Sequence, residues 1–186
     1  METKKGVSYH EKLNGVEDIT SLFERSYTNL NSPKLVILAP VRCESYYKQG
    51  KYDSELSKKI ESGYKELLSF LESNLLIDKV AVVVTPVQTV GKAVEFNDIE
   101  DKEGELKFMF VKTGAEYNPQ DSEQPLRYIL RFALSKQVKK SWGWFNWLAG
   151  LLNKDKKLKA AVDTFVKESK NTGGFKVIQG HNLLDI

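Results

Sequence analysis

The sequence predicts an α/β fold with a mostly parallel central sheet flanked by helices, formed by a single domain over residues 1–186. Three observations lead there. Residues 34–40 and 79–86 are short apolar runs rich in β-branched side chains, as in strands buried on both faces. Between them, Leu56, Ile60, Tyr64, Leu67, Leu68 and Leu71 recur at spacings dominated by three and four, as along one face of a helix. Strand, long crossover helix and strand make a βαβ unit, whose strands pair in parallel with a right-handed crossover. A chain of 186 residues, 41% hydrophobic and 28% charged, has the size and composition of one globular core and not of a disordered or fibrous protein.

Residues 1–16 read as a flexible polar tether that leads into an amphipathic turn around Ile19, Leu22 and Phe23. Pro33 ends that stretch, and the first strand runs to Pro40. Asp53 or Ser54 is placed to cap a helix over residues 54–76, in which Gly63 lowers helicity locally. The second strand, residues 79–86, is the strongest strand signal in the chain. The charged stretch 91–104 is expected to cross the surface before a third strand over residues 105–111, which extends the parallel sheet. The loop 116–125 holds two prolines, amides and carboxylates, and forms a rigid entrance to a helix bearing Leu126, Ile129, Leu130 and Leu134. A further helix carries Leu158, Ala161, Val162 and Phe165; Gly173 and Gly174 turn the chain into a short edge strand at residues 175–178. Residues 135–186 are read as a C-terminal cap and interaction region within the same domain.

The 28 Lys and Arg exceed the 25 Asp and Glu by three, too small an excess to mark a nucleic-acid surface unless the cations converge. The basic runs 136–140 and 154–159 read as solvated helix faces, with an anionic partner or a membrane surface as the second reading. Cys43 is the only cysteine, so neither an intrachain disulfide nor a cysteine-cluster zinc site is available, and a reducing, cytoplasmic setting is expected. The first residues lack the apolar stretch of a secretory signal, and no run has the length and apolarity of a membrane span.

Candidate chemistry is sparse, and the catalytic residues are unknown at this level. Arg42 and Glu44 follow the first strand at its carboxyl end, the side on which α/β sheets place ligands; loop pairing is the plain alternative. Cys43 lies between them and reads as a small residue at a strand-to-loop edge, not as a nucleophile. His10 and His181 stand near opposite ends and are not assigned to a metal, so no metal site is predicted. Trp142, Trp144 and Trp147 sit between lysine-rich stretches and are candidates for partner contact, with at least one ring exposed and the others stabilising the fold.

After the second strand the chain reads Thr85-Pro86-Val87-Gln88, and after the third Thr113-Gly114-Ala115. With Leu35–Pro40 and Val80–Thr85 as consecutive strands, residues 34–134 resemble the later half of a regulatory-type GTPase domain of the P-loop NTPase superfamily, especially divergent bacterial members. Such domains carry Asn or Thr, then Lys, a variable residue and Asp at the guanine-recognition position, so Pro86 and Gln88 replace the base-covering lysine and the guanine-binding carboxylate. Thr113 to Ala115 is similar to the family's Ser-Ala dipeptide beside the base. There is no GxxxxGK[ST] segment, and Gly91-Lys92 has neither the leading glycine nor the terminal hydroxyl of one.

The resemblance thus implies a degenerate or truncated GTPase-like domain that serves as a non-catalytic interaction or assembly module. Its alternatives are a nucleotide-binding or hydrolytic subunit completed by another chain, and a nucleic-acid-binding accessory protein. No cofactor is predicted. A guanine nucleotide is the one the resemblance would imply, with Arg42, Glu44, Thr85, Gln88 and Thr113 as its candidate contacts. A protein partner is expected ahead of nucleic acid or a membrane surface.

Overall fold

Val80, Ala81, Val82, Val83 and Val84 combine high β-propensity with an absence of any polar side chain, and a strand of this kind is stable only when covered on both faces. A computed structural model, which describes residues 15–100, 106–135, 150 and 154–184, places them at the centre of the domain. Strand β1 is Lys34–Leu38, β2 Tyr47–Lys48, β3 Lys51–Tyr52, β4 Val80–Val84, β5 Val94–Glu100, β6 Leu106–Lys112 and β7 Lys176–Gln179. The helices are α1 Val16–Ser26, α2 Ser54–Gly63, α3 Lys65–Leu71, α4 Gln124–Leu134 and α5 Lys156–Lys167.

The central sheet has the order β1-β4-β7. β1 pairs with β4 in parallel, Lys34 beside Val80 through Leu38 beside Val84, as the βαβ reading requires. β4 pairs with β7 in antiparallel fashion, with an irregularity between Val82 and Val83. Side chains alternate between the faces of a strand, so Val80, Val82 and Val84 enter one core with Leu56, Ile60, Leu67 and Leu71 of α2 and α3. Ala81 and Val83 enter a second core with Tyr128 and Phe132 of α4 and with Val177, Leu183 and Leu184. The molecule is a mixed α/β domain with helices on both faces of a small sheet.

Three expectations are corrected. The central sheet is mixed and not mostly parallel, because residues 176–179 complete it as an antiparallel edge. Residues 106–112 form a strand as expected, but outside that sheet: β6 pairs with β5 in an antiparallel hairpin, Val94 beside Lys112 through Glu100 beside Leu106. Only five residues separate these strands, too few for a parallel crossover, and the charged stretch expected to cross the surface supplies β5. The long helix is two helices that meet at Tyr64, where φ is −114° and ψ 20°, next to Gly63. The tether expected over residues 1–16 lies, up to residue 14, outside the described residues; Val16 opens α1 and is buried.

Local signals settle several ends. Asp53 Oδ1 accepts hydrogen bonds from the Glu55 N–H (3.1 Å) and Leu56 N–H (3.3 Å), which caps α2. Asp155 does the same for α5 through the Lys157 and Leu158 N–H groups at 2.9 and 3.1 Å. Pro125 occupies the first turn of α4, where its missing N–H costs nothing. No helix of the described residues is long and apolar enough to cross a membrane.

Gly180 shows how closely the chain after β7 approaches β4. Its φ is +77°, and a Cβ there would lie 2.5 Å from Ala81 Cα and 2.9 Å from the Val80 carbonyl oxygen. The obstacle is backbone, which has no rotamer with which to yield. Gly180→Ala is therefore expected to destabilise the domain by about 2 kcal/mol or more in urea unfolding. A loss below about 0.5 kcal/mol would place β7 elsewhere.

Candidate functional site

The site is built at the carboxyl ends of β1 and β4, where both chains leave the sheet but remain paired. Val87 N–H donates to Pro40 O at 2.9 Å and Cys43 N–H to Val87 O at 3.2 Å, so the contact continues past the strands. Arg42, exposed in this turn, has φ +59°, a left-handed conformation that a non-glycine residue adopts only when its surroundings impose it. Glu44 turns inward. Its Oε1 accepts from Thr89 N–H at 2.6 Å, Val90 N–H at 2.8 Å and Thr89 Oγ1 at 3.3 Å. The carboxylate thereby fixes the loop after β4 to the loop after β1, while its buried Oε2 has no hydrogen-bond partner among the described residues.

Beneath these loops lies a polar network that joins distant segments. Tyr52 Oη is 3.2 Å from Asp121 Oδ2 and 3.4 Å from Pro86 O. Asp121, buried and with φ +64°, also receives Lys170 Nζ at 2.5 Å. Gln124 Oε1 accepts the Lys170 N–H at 2.9 Å, and Tyr128 donates its hydroxyl to Lys170 O at 2.7 Å. Burial first, and then the Asp121 charge, push the Tyr52 phenol well above its ordinary range, so it stays protonated as a donor. Residue 88 forms an isolated bridge with Gln120, each N–H donating to the other's carbonyl at 3.0–3.1 Å.

The sequence candidates separate in this setting. Glu44 is brought onto Thr89, and Thr85 and Gln88 share the end of β4, but both are buried; Thr85 Oγ1 and Gln88 Nε2 have no hydrogen-bond partner among the described residues. Thr113 is exposed at the base of the β5–β6 hairpin, with its hydroxyl donated to Lys92 O and its N–H to Ala93 O. Cys43 is buried, its thiol directed at Pro40 O at 3.3 Å; burial pushes its pKa up to about 11, which leaves it protonated and a poor nucleophile near neutral pH. His181 lies exposed in the turn after β7, while His10, Trp142, Trp144 and Trp147 lie outside the described residues. Among the described residues no group of three or more His, Cys, Asp or Glu is arranged to hold a metal ion. Tyr52, Asp121 and Lys170, which sequence reading did not select, form the centre of the polar network.

The open part of the site is a cleft of about 840 Å³ beside β1. Residues 36–43 all line it, eight in succession. Residues 39–43 belong to the loop after β1; a strand that turns one face to a cavity contributes alternate residues, so the consecutive 36–38 put the backbone edge of β1 in the wall. Ile19 and Phe23 of α1 and Leu56 and Ile60 of α2 supply apolar flanks. Arg42, Lys58 and Lys59 stand at its carboxyl-end side with Glu55, and Lys59 is 3.1 Å from Glu55 and donates to the Tyr46 hydroxyl at 2.8 Å. No family model, curated protein or solved structure matches the chain.

If Glu44 clamps the two loops, the shape of its contacts sets the effect of substitution. Glu44→Ala leaves two backbone donors without their acceptor and is expected to cost about 2 kcal/mol in equilibrium unfolding. Glu44→Gln retains an oxygen in the same place and is expected to cost less than about 1 kcal/mol. Equal losses in the two variants would show that the carboxylate charge, and not acceptor placement, holds the loops.

Proposed function

We propose that the chain is a cytoplasmic, non-catalytic, GTPase-like interaction or assembly module that receives a protein partner in the cleft beside β1. The observation that carries this reading is the cleft wall: an apolar strand edge with apolar helical flanks and a cationic end. The places where a ligand would approach the carboxyl end of the sheet are taken up by the chain's own bonds. Glu44 is engaged with Thr89 and Val90, and Thr85 and Gln88 are buried. Residues 1–186 contain no GxxxxGK[ST] loop to cradle phosphates, and Thr85-Pro86-Val87-Gln88 has no carboxylate for a guanine edge. These features favour contact over nucleotide chemistry, while leaving the α/β frame intact.

The test uses the native complex, recovered through a tag on the full chain. Lys58→Glu combined with Lys59→Glu reverses charge at the cleft on exposed side chains, and is expected to lower partner retention at least about tenfold with little change in unfolding temperature. Full retention by the folded double variant would remove the cleft from the interaction. Magnesium-dependent GTP hydrolysis by the purified chain, abolished by a point substitution in it, would overturn the non-catalytic part.

A further inference from the structure

In a β-strand the N–H and C=O of one residue point to the same side, and successive residues alternate. Lys34 N–H donates to Lys79 O at 2.8 Å, and Leu38 O accepts from Thr85 N–H at 2.9 Å. Residues 34, 36 and 38 therefore direct their backbone groups at β4. Leu35 and Ile37 direct theirs away from it, into the side where no strand of the described residues lies. The order β1-β4-β7 leaves β1 at the edge of the sheet, yet its sequence Lys-Leu-Val-Ile-Leu has the apolar character of an interior strand. Edge strands are usually blunted by charge, proline or a bulge; β1 has no such device between Leu35 and Leu38.

We infer that β1 takes up an extended peptide segment of another protein as an additional strand, with apolar residues along the segment and an acidic residue at the end beside Arg42, Lys58 and Lys59. This rests on the interaction reading above and specifies its mode. Main-chain bonds from Leu35 and Ile37 supply affinity, and side chains of the added strand select the partner. On one face they extend the core that holds Val36 and Leu38 towards Ile19, Phe23, Leu56 and Ile60; on the other they lie beside the half-buried Leu35 and Ile37. The cationic end chooses the acid: Arg42, Lys58 and Lys59 line the cleft with one carboxylate, Glu55, and the Lys58 and Lys59 side chains are exposed. The same charges disfavour a second copy of the chain. An antiparallel β1–β1 pair would carry Lys34 of each protomer towards the Arg42 end of the other, cation to cation.

The test measures fluorescence anisotropy of capped, labelled peptides against the full chain. The probes are Thr-Val-Ile-Val-Ile-Asp-Glu and its counterpart with the acidic pair at the amino end, with Lys-Lys versions as controls. At least one acidic peptide is expected to bind saturably, and its Lys-Lys version at least about tenfold more weakly. Ile37→Pro removes an outward N–H without touching the ladder to β4, and proline is tolerated at an edge in that position. It is expected to weaken binding at least about tenfold while the protein stays folded.

N-methylation of alternate peptide amides, tested on the unmodified protein, gives a second readout that does not depend on a variant folding. One alternate set is expected to abolish binding and the other to preserve it. Failure of both acidic peptides to bind, indifference to both methylated sets, equal loss from both, or undiminished binding to folded Ile37→Pro would overturn strand addition. Self-association abolished by Ile37→Pro would overturn the choice of partner in favour of a second copy. If the native partner is lost from the Lys58/Lys59 charge reversal but retained by folded Ile37→Pro, strand addition fails while the interaction reading stands. Retention by both folded variants would defeat the two together.

Discussion

The burial of β4 on both faces and along both edges is the constraint on which the other elements depend. Its five residues are 0–4% exposed, with β1 on one side and β7 on the other. Five apolar residues with ten backbone polar groups are stable in such a place only when each face is packed and each ladder paired. The first requirement draws α2 and α3 to one face and α4 to the other. The second draws β7 back from near the end of the chain, and Gly180 permits the close passage that follows. Because β7 occupies one edge of β4 and β1 the other, the outer edge of β1 is a margin of the sheet that no other strand of the described residues pairs.

Two kinds of polar construction then divide the carboxyl end of the sheet. On one side, the buried Tyr52, Asp121 and Gln124 and the exposed Lys170 form a network of bonds that span up to 69 residues, whose members depend on one another for satisfaction. On the other side the groups remain accessible: Arg42 in its left-handed turn, Lys58 and Lys59 at the cleft, and the outward backbone of β1. Glu44 links the two by holding the β4 loop against the β1 loop. A frame that is closed on one side and open along a strand edge on the other is suited to presenting a surface.

The sequence made β1, α2 and β4 legible because their patterns are local and strong. An apolar β-branched run has few alternatives, and an acidic cap at Asp53 marks where the helix begins. The direction of β7 was not legible, since Lys-Val-Ile-Gln has the same character whichever way it pairs. β5 was hidden by Glu95, Asn97, Asp98 and Glu100, which look like a surface crossing until their pairing with β6 is known. At the site, Arg42 and Glu44 could be located by their place after a buried strand. Tyr52, Asp121 and Lys170 carried no comparable signal, because what unites them is tertiary contact, although the proline-flanked loop containing Asp121 was distinctive. The edge position of β1 depended on β7 and β6, and so followed from the two features the sequence left open.

Amide hydrogen exchange in β1 of the isolated full chain, resolved residue by residue by NMR, tests the central claim most directly. With one side of β1 paired to β4 and no strand of the described residues on the other, Val36 and Leu38 amides should be protected while Leu35 and Ile37 exchange at least about 100-fold faster. Protection of Leu35 and Ile37 equal to that of Val36 would mean that the outer edge is already covered within the chain, and would contradict the account.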